Sequence, residues 1–328
     1  MKCIFSLAEL TNVTASAEHI FPEAIGGTVV IQAVSNTINS RLGTEVDSLL
    51  TNHFLIEAAR NLHSIKGKRG NVPNPFEGTA TLETSPDTRV RYEFDDDGKP
   101  RRLYIIPSVV KAKKNDQLEV SFQCDASDIS KLPEMVNKWL KRNGHTEKDP
   151  EELLKQVQRT KVPNPRCILP LSLALYDFFL PLLKIAYELT WRWIGDAYLN
   201  DPIAQVLRDA IWDKSWDENW SVRHPIRGQA TMSREAQIFN FWSGDSLSHL
   251  GILVRDRNTL ACNVRVFDIF AATVKVSDHA HLYEIGEEGR FIANHSVTGE
   301  VRESTLVQEF ERLGGDEASL QEGSSPLG

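Results

Sequence analysis

The head of the chain changes its hydrophobic rhythm from one short segment to the next. Glu18 and His19 lead into the apolar pair Ile20 and Phe21, and Pro22 with Gly26-Gly27 then breaks the chain, which predicts a loop. Val29, Val30 and Ile31 form a β-branched run that predicts a strand. From about Ser35 the apolar positions Ile38, Leu42, Val46, Leu49 and Leu50 recur at steps of three and four, the spacing of one helix face. The same pattern runs on through His53, Phe54, Ile56 and Ala59. The predicted order is strand, loop, strand, helix, with Glu18 and His19 leaving the first strand and Asn39 in the first turn of the helix.

Downstream, Thr79 to Leu82, Arg89 to Phe94 and Leu103 to Ile106 alternate as strands do, and Asp97-Gly98 is a hairpin signal. Asp128 to Arg159 reads as helical, with Leu132, Met135, Val136, Trp139 and Leu140 on one face and a second piece at Leu153, Leu154 and Val157. The charged stretch Lys141 to Glu152, with Gly144 and Pro150, marks a boundary, and Pro163 and Pro165 mark another break. Ile168 to Gly195 is the most apolar region, within an apolar stretch that runs to Trp212, yet Lys184, Glu188 and Arg192 arrive at helical spacing. That predicts a buried amphipathic helix, not a membrane span. Ala236 to Phe241, His249 to Arg255 and Thr259 to Val276 predict a second antiparallel sheet against this helix, turning at Gly244-Asp245 and at Asp256-Arg257-Asn258. Beyond Gly314 the chain is rich in Gly, Ser and acids, a disordered composition. The expected class is α+β: a head over 1–70, a basic β-hairpin region with a helix over 71–145, a helical core with antiparallel β over 146–313, and a tail over 314–328.

Charge changes this picture. The formal net charge is −8, unusual for a protein that grips a polyanion. Up to residue 59 the acids Glu9, Glu18, Glu23, Glu45, Asp47 and Glu57 face only the bases Lys2 and Arg41. Any nucleic-acid contact must come from local patches and from a bound cation. Arg60, Lys66, Lys68 and Arg69 form one patch without an intervening acid; it reads either as a phosphate-gripping edge or as a solvated helix end. Lys99, Arg101, Arg102, Lys111, Lys113 and Lys114 form another, with edge-strand protection as its plainer reading. Cys3, Cys124, Cys167 and Cys262 have no ligand spacing and read as reduced thiols of a cytoplasmic protein. His249 sits in an apolar strand and reads as a core histidine. His279 and His281 would lack a third ligand.

A carboxylate and an amide oxygen that hold a hard cation, beside an imidazole that activates water, make a compact phosphodiesterase site. At Glu18, His19, Ile20 and Pro22, then Gly26-Gly27, then Asn39, Leu42-Gly43 and Asp47, the chain resembles the HNH endonucleases that open on Glu-His-Ile-x-Pro and close on Cys-x-x-Cys-Asn. The resemblance implies a ββα-metal head with His19 as general base and with Glu18 and Asn39 as ligands of Mg²⁺ or Mn²⁺. Asp47 lies eight residues past Asn39, about 12 Å along a straight helix at ~1.5 Å per residue, and so is read as an acid behind the ligands or on the helix surface.

The family pins this small fold with zinc on two Cys-x-x-Cys knuckles. Here Cys3 is kept, but Ser6, Ser35 and Ile38 stand at the other positions, so no structural zinc is expected. Ile4, Phe5, Val34 and Ile38 are the expected substitutes, through apolar contact with the rest of the chain. The segments LIEAARNLHSIKGKRG and KIAYELTWRWIGDAYLNDPIAQVLRDAI also resemble the regions downstream of such heads. The first functional reading is a metal-dependent endonuclease acting on nucleic acid, with DNA as the first candidate. The second is a non-cleaving HNH-derived module whose second half contacts a protein partner or another copy of the chain.

Overall fold

In the computed structural model of the chain, residues 1–67, 70–95, 99–114, 117–161, 164–170, 178–213, 219–242 and 245–314 are described. The fold is mixed α/β, and its sheets are antiparallel. It divides into two compact units, Met1–Pro73 with Leu173–Gly328, and Asn74–Ser172. The sequence placed boundaries elsewhere: the structure joins the head to the second half and assigns 146–172 to the middle unit.

In the first unit, β1 (Ala15–His19) pairs with β2 (Val30–Ser35), setting Glu18 opposite Ile31 and His19 opposite Val30, with a register shift between Ser16 and Glu18. β2 runs straight into α1 (Asn36–Leu42), capped by Ser35, whose side chain accepts from Ile38 N at 3.4 Å. The helix expected to continue to Ala59 is interrupted. It loosens into a π-helical turn over Gly43–Asp47 and resumes over Ser48–Thr51. A new helix, Phe54–Leu62, starts where His53 turns extended and its Nδ1 accepts from Leu55 N. Apolar spacing survives the break, so periodicity did not reveal it.

The long helix Phe179–Ile194 is buried without interruption from Leu180 to Thr190. Side chains such as Leu182, Leu183 and Leu189 leave water completely, each contributing about 1.5–3 kcal/mol. This helix lies on one face of a six-stranded sheet ordered Val301–Ser304, Arg290–His295, Ser248–Asp256, Thr259–Val266, Phe270–Ser277, Gly228–Met232. Gly251 lets the helix approach closely there: a Cβ would sit 2.3 Å from Leu189 Cδ1 and force that side chain to move. The opposite face packs Leu250, Ile252 and Phe291 against Phe239, Trp242 and Leu306. Ala236 to Phe241, expected as a strand, forms short 3-10 turns that cover this face. Thr259 to Val276 is a hairpin, not one strand; it reverses after Val266, where Phe267 adopts a φ of +50°.

The loop between β1 and β2 is docked onto this sheet. Asn294 accepts from Thr28 N at 2.7 Å and donates to Gly26 O at 3.1 Å. His249 Nε2 bonds Ile25 O at 2.9 Å. Gly26 has a φ of +87°, and a Cβ on it would lie 2.0 Å from Ser296 O, so no other residue fits this approach.

The second unit holds a four-stranded sheet ordered Pro100–Ile105, Ser85–Phe94, Thr79–Leu82, Cys167–Ile168. It also holds the hairpin Ser108–Lys114 with Gln117–Gln123, which the sequence did not predict, and the helices Leu132–Arg142 and Pro150–Lys155. The expected turn at Asp97-Gly98, the break at Pro163, Gly244 and the tail beyond Gly314 lie outside the described residues. Among those described, no helix is long and apolar enough to cross a membrane.

Candidate active site around His19

Strand alternation sends Glu18 and His19 to opposite faces of β1. Glu18 is buried, with a side chain 2% exposed, and His19 is half-buried. The inward face of Glu18 does not meet a hydrophobic core. It meets Lys184 of the long helix, whose Nζ lies 2.5 Å from Glu18 Oε1 and is itself fully buried. The same ammonium donates to the main-chain carbonyl of His19 at 2.9 Å and approaches Asp47 Oδ1 at 3.2 Å and Glu188 Oε2 at 3.4 Å.

Asp47 reaches this point because the π-helical turn over Gly43–Asp47 inserts extra backbone into the helix and rotates the residues beyond it. Asp47 and Glu18 share one cation, and that cation is the Lys184 ammonium. Asn39 serves a different partner. Its Nδ2 donates to Ser16 Oγ and to Ala17 O, both at 2.8 Å, which satisfies main chain left unpaired where the β1 register shifts. The expected pair of Glu18 and Asn39 is thus not brought onto a shared partner.

Electrostatics inside the cluster are unbalanced. Three carboxylates surround one ammonium. Burial would push Lys184 down, but Asp47, Glu188 and Glu18 outweigh it and hold the ammonium well above its ordinary range. Burial pushes Asp47 up to about 6, against the pull of Lys184 and with the push of Glu18; the nearby His19 works in the lowering direction. Burial drives Glu188 well above the usual carboxylate range. Glu18 Oε1, Asp47 Oδ1 and both Glu188 oxygens are buried and accept no hydrogen bond, so their contacts with Lys184 there are ion pairs without hydrogen-bond angles. Among the described residues, no group of three or more His, Cys, Asp or Glu side chains is arranged to hold a metal ion by itself.

The knuckle positions are occupied by ordinary packing. Cys3, Ile4, Phe5 and Val34 are buried in the main core, and Ile38 packs against it. Phe5 meets Tyr187 at 5.2 Å and Trp212 at 5.6 Å between ring centroids. The Tyr187 hydroxyl donates to Ile4 O.

Of the first basic patch, Arg60 and Lys66 are among the described residues. Arg60 is buried, its guanidinium directed to Thr51 O at 3.4 Å, and burial lowers its pKa. Lys66 is exposed, while Lys68 and Arg69 lie outside the described residues. In the second unit, Arg91 and Arg102 lie over the Tyr104 ring at 4.6 and 5.6 Å. Arg102 is paired with Glu93 at 2.6 Å, which favours the plainer reading of that face. His249 is a hydrogen-bonded core histidine, accepting from Phe267 N through Nδ1. His279 and His281 lie 6.1 Å apart between ring centroids, and His281 Nδ1 contacts Asn258 Oδ1.

Sequence reading missed Lys184 and Glu188. Their signal was present as two opposite charges four residues apart inside the most apolar helix, a spacing that places both on one face.

Comparison with known families agrees with the head. Residues 3–55 match the family model described as HNH endonuclease. This segment is similar to the HNH endonuclease domain. The match ends within the helical part of the head, and no curated protein and no solved structure matches the chain.

Proposed function

We propose that the HNH head hydrolyses phosphodiester bonds of nucleic acid, DNA first, with His19 as general base and with Glu18 and Asp47, not Glu18 and Asn39, holding one divalent ion. The observation that carries this reading is that Glu18 and Asp47 reach one point, the Lys184 ammonium that also holds the His19 carbonyl, with more negative charge than Lys184 neutralises. Hard carboxylate oxygens suit Mg²⁺ or Mn²⁺, and two such groups are an ordinary protein share when water and phosphate complete the shell. Glu18 Oε1 and Asp47 Oδ1 face the Lys184 ammonium, so such an ion would be held through the other oxygen of each carboxylate. When bound, the ion supplies positive charge opposite the phosphate and the leaving oxygen.

The chain's own residues do the rest. His19 takes a proton from the attacking water, and its place at the end of β1 is fixed by Lys184 on its carbonyl. Asn39 holds the irregular stretch of β1 just before Glu18. Lys66, together with its sequence neighbours Lys68 and Arg69, is the proposed phosphate edge; buried Arg60 is not part of it.

One observation favours the second reading, a non-cleaving HNH module: Glu18 already has a cation in Lys184. Nicking of supercoiled plasmid with Mg²⁺ or Mn²⁺ separates the two. Cleavage by the intact chain that falls by about 10²–10⁴-fold in His19→Ala supports the first, as loss of a general base should. A folded wild type that does not nick leaves the second.

A further inference from the structure

We propose that Lys184 is a positioning residue for the HNH head, fixing the Glu18 and Asp47 carboxylates and the His19 main chain from inside the molecule. This rests on the reading of Glu18 and Asp47 as the ion-holding pair. Lys184 cannot act by touching substrate, because its side chain is fully buried. It can act only through the groups it holds. Its ammonium reaches Glu18 at 2.5 Å, the His19 carbonyl at 2.9 Å and Asp47 at 3.2 Å, which are the strand end and the π-helical turn of the head. Glu188, one helical turn on from Lys184, approaches the ammonium at 3.4 Å, so the lysine is itself propped.

Each carboxylate has two oxygens, and the close contact of Lys184 with Glu18 is through Oε1, leaving Oε2 for another cation. Carboxylate ligands are commonly steadied this way by partners behind them, and loss of such a partner weakens metal binding. A buried ammonium is costly to keep where an apolar side chain of similar volume would fill the core. Its retention among three acids is accounted for by the arrangement it imposes. The clamp also stands where support is needed, since Ser6, Ser35 and Ile38 occupy knuckle positions that cannot bind zinc.

Mn²⁺ binding to the full chain, followed by electron paramagnetic resonance, tests this without relying on cleavage. The wild type should bind Mn²⁺, Glu18→Gln should abolish binding, and Lys184→Met should weaken it by about 10–100-fold. Leu183→Ala, a buried neighbour on the same helix, should destabilise the fold yet leave the affinity of the folded protein unchanged, which separates positioning by Lys184 from general loss of packing. Should Lys184→Met fail to fold, lysine ¹⁵N resonances of the wild type decide: the buried Lys184 ammonium should stay protected from exchange when Mg²⁺ is added. Mn²⁺ binding that survives or tightens in Lys184→Met, or loss of that protection, overturns the positioning role alone and makes Lys184 a competitor of the ion. No Glu18-dependent binding in the wild type overturns the ion-holding pair as well.

Discussion

His249 ties the loop of the head to the sheet, and its chemistry makes that tie sensitive to acid. Its Nε2 lies 2.9 Å from Ile25 O and its Nδ1 3.2 Å from Phe267 N. A main-chain carbonyl needs a donor and a main-chain N–H needs an acceptor, so the ring is neutral with its proton on Nε2. A second proton would land on Nδ1, facing the Phe267 N–H. Burial, opposed by the bond to Ile25 and assisted by Arg265, pushes the imidazole down to about 4. The unfolded chain titrates near 6.5, so between about pH 6.5 and 4 it binds a proton that the native state refuses. Stability from this group is complete above 6.5 and falls as pH drops toward 4, by about 3 kcal/mol for a shift of ~2.5 pKa units. That is a large part of an ordinary stability of about 5–15 kcal/mol. His249→Gln offers an amide N–H to Ile25 and a carbonyl to Phe267 but does not titrate. Urea unfolding from about pH 7 to 4 should show the variant losing ~3 kcal/mol less than the wild type over that window. Parallel curves for the two proteins would refute the reasoning.

Asp47 works in the opposite sense. Its folded pKa of about 6 exceeds the unfolded value of 3.8, so without divalent ions stability should fall as pH rises from about 4 through 6, by about 3 kcal/mol. Asp47→Asn should flatten that limb in melts run with chelator, each pH effect being read against its own variant because the two oppose one another. Gly26→Ala, forced against Ser296 O at positive φ, should cost on the order of 3 kcal/mol or more, seen as a lowered denaturation midpoint. Lys66→Ala should reduce the salt dependence of DNA binding by about one unit of slope, whereas Arg60→Ala should lower thermal stability and leave that slope alone. A change in slope with Arg60 would show that its guanidinium reaches phosphate after all.

Local signals carried the head well. Glu18-His19, the Gly26-Gly27 break and Asn39 at the helix start sit within a short stretch of chain, and each follows from local backbone chemistry. The π-helical turn did not show, because Leu42, Val46 and Leu50 keep a step of four through it and all three are buried; inserting one turn of a different helix changes where Asp47 points without disturbing that spacing. Lys184 was read as one of the charges on an amphipathic helix, and nothing local says that its partners lie more than a hundred residues upstream. In the six-stranded sheet, Leu260 to Val266 are all buried, since both faces are covered. Alternation disappears in such a strand, which is why Thr259 to Val276 read as one element and why Arg290–His295, buried from Phe291 to Asn294, was not predicted.

The head and second half form one unit, and the contacts that hold the head come from far along the chain. Here the loop after β1 is held by Asn294 and His249, the knuckle region by Tyr187 and Trp212, and the acid pair by Lys184. All of these come from residues 187 to 294 or from Lys184 just before them. Each contact replaces covalent-like local restraint with packing that forms only when distant segments meet. A substitution in the second half that never approaches nucleic acid should therefore disturb the head as much as one within it. The place of His19 at the end of β1 depends on a helix that the family match does not include.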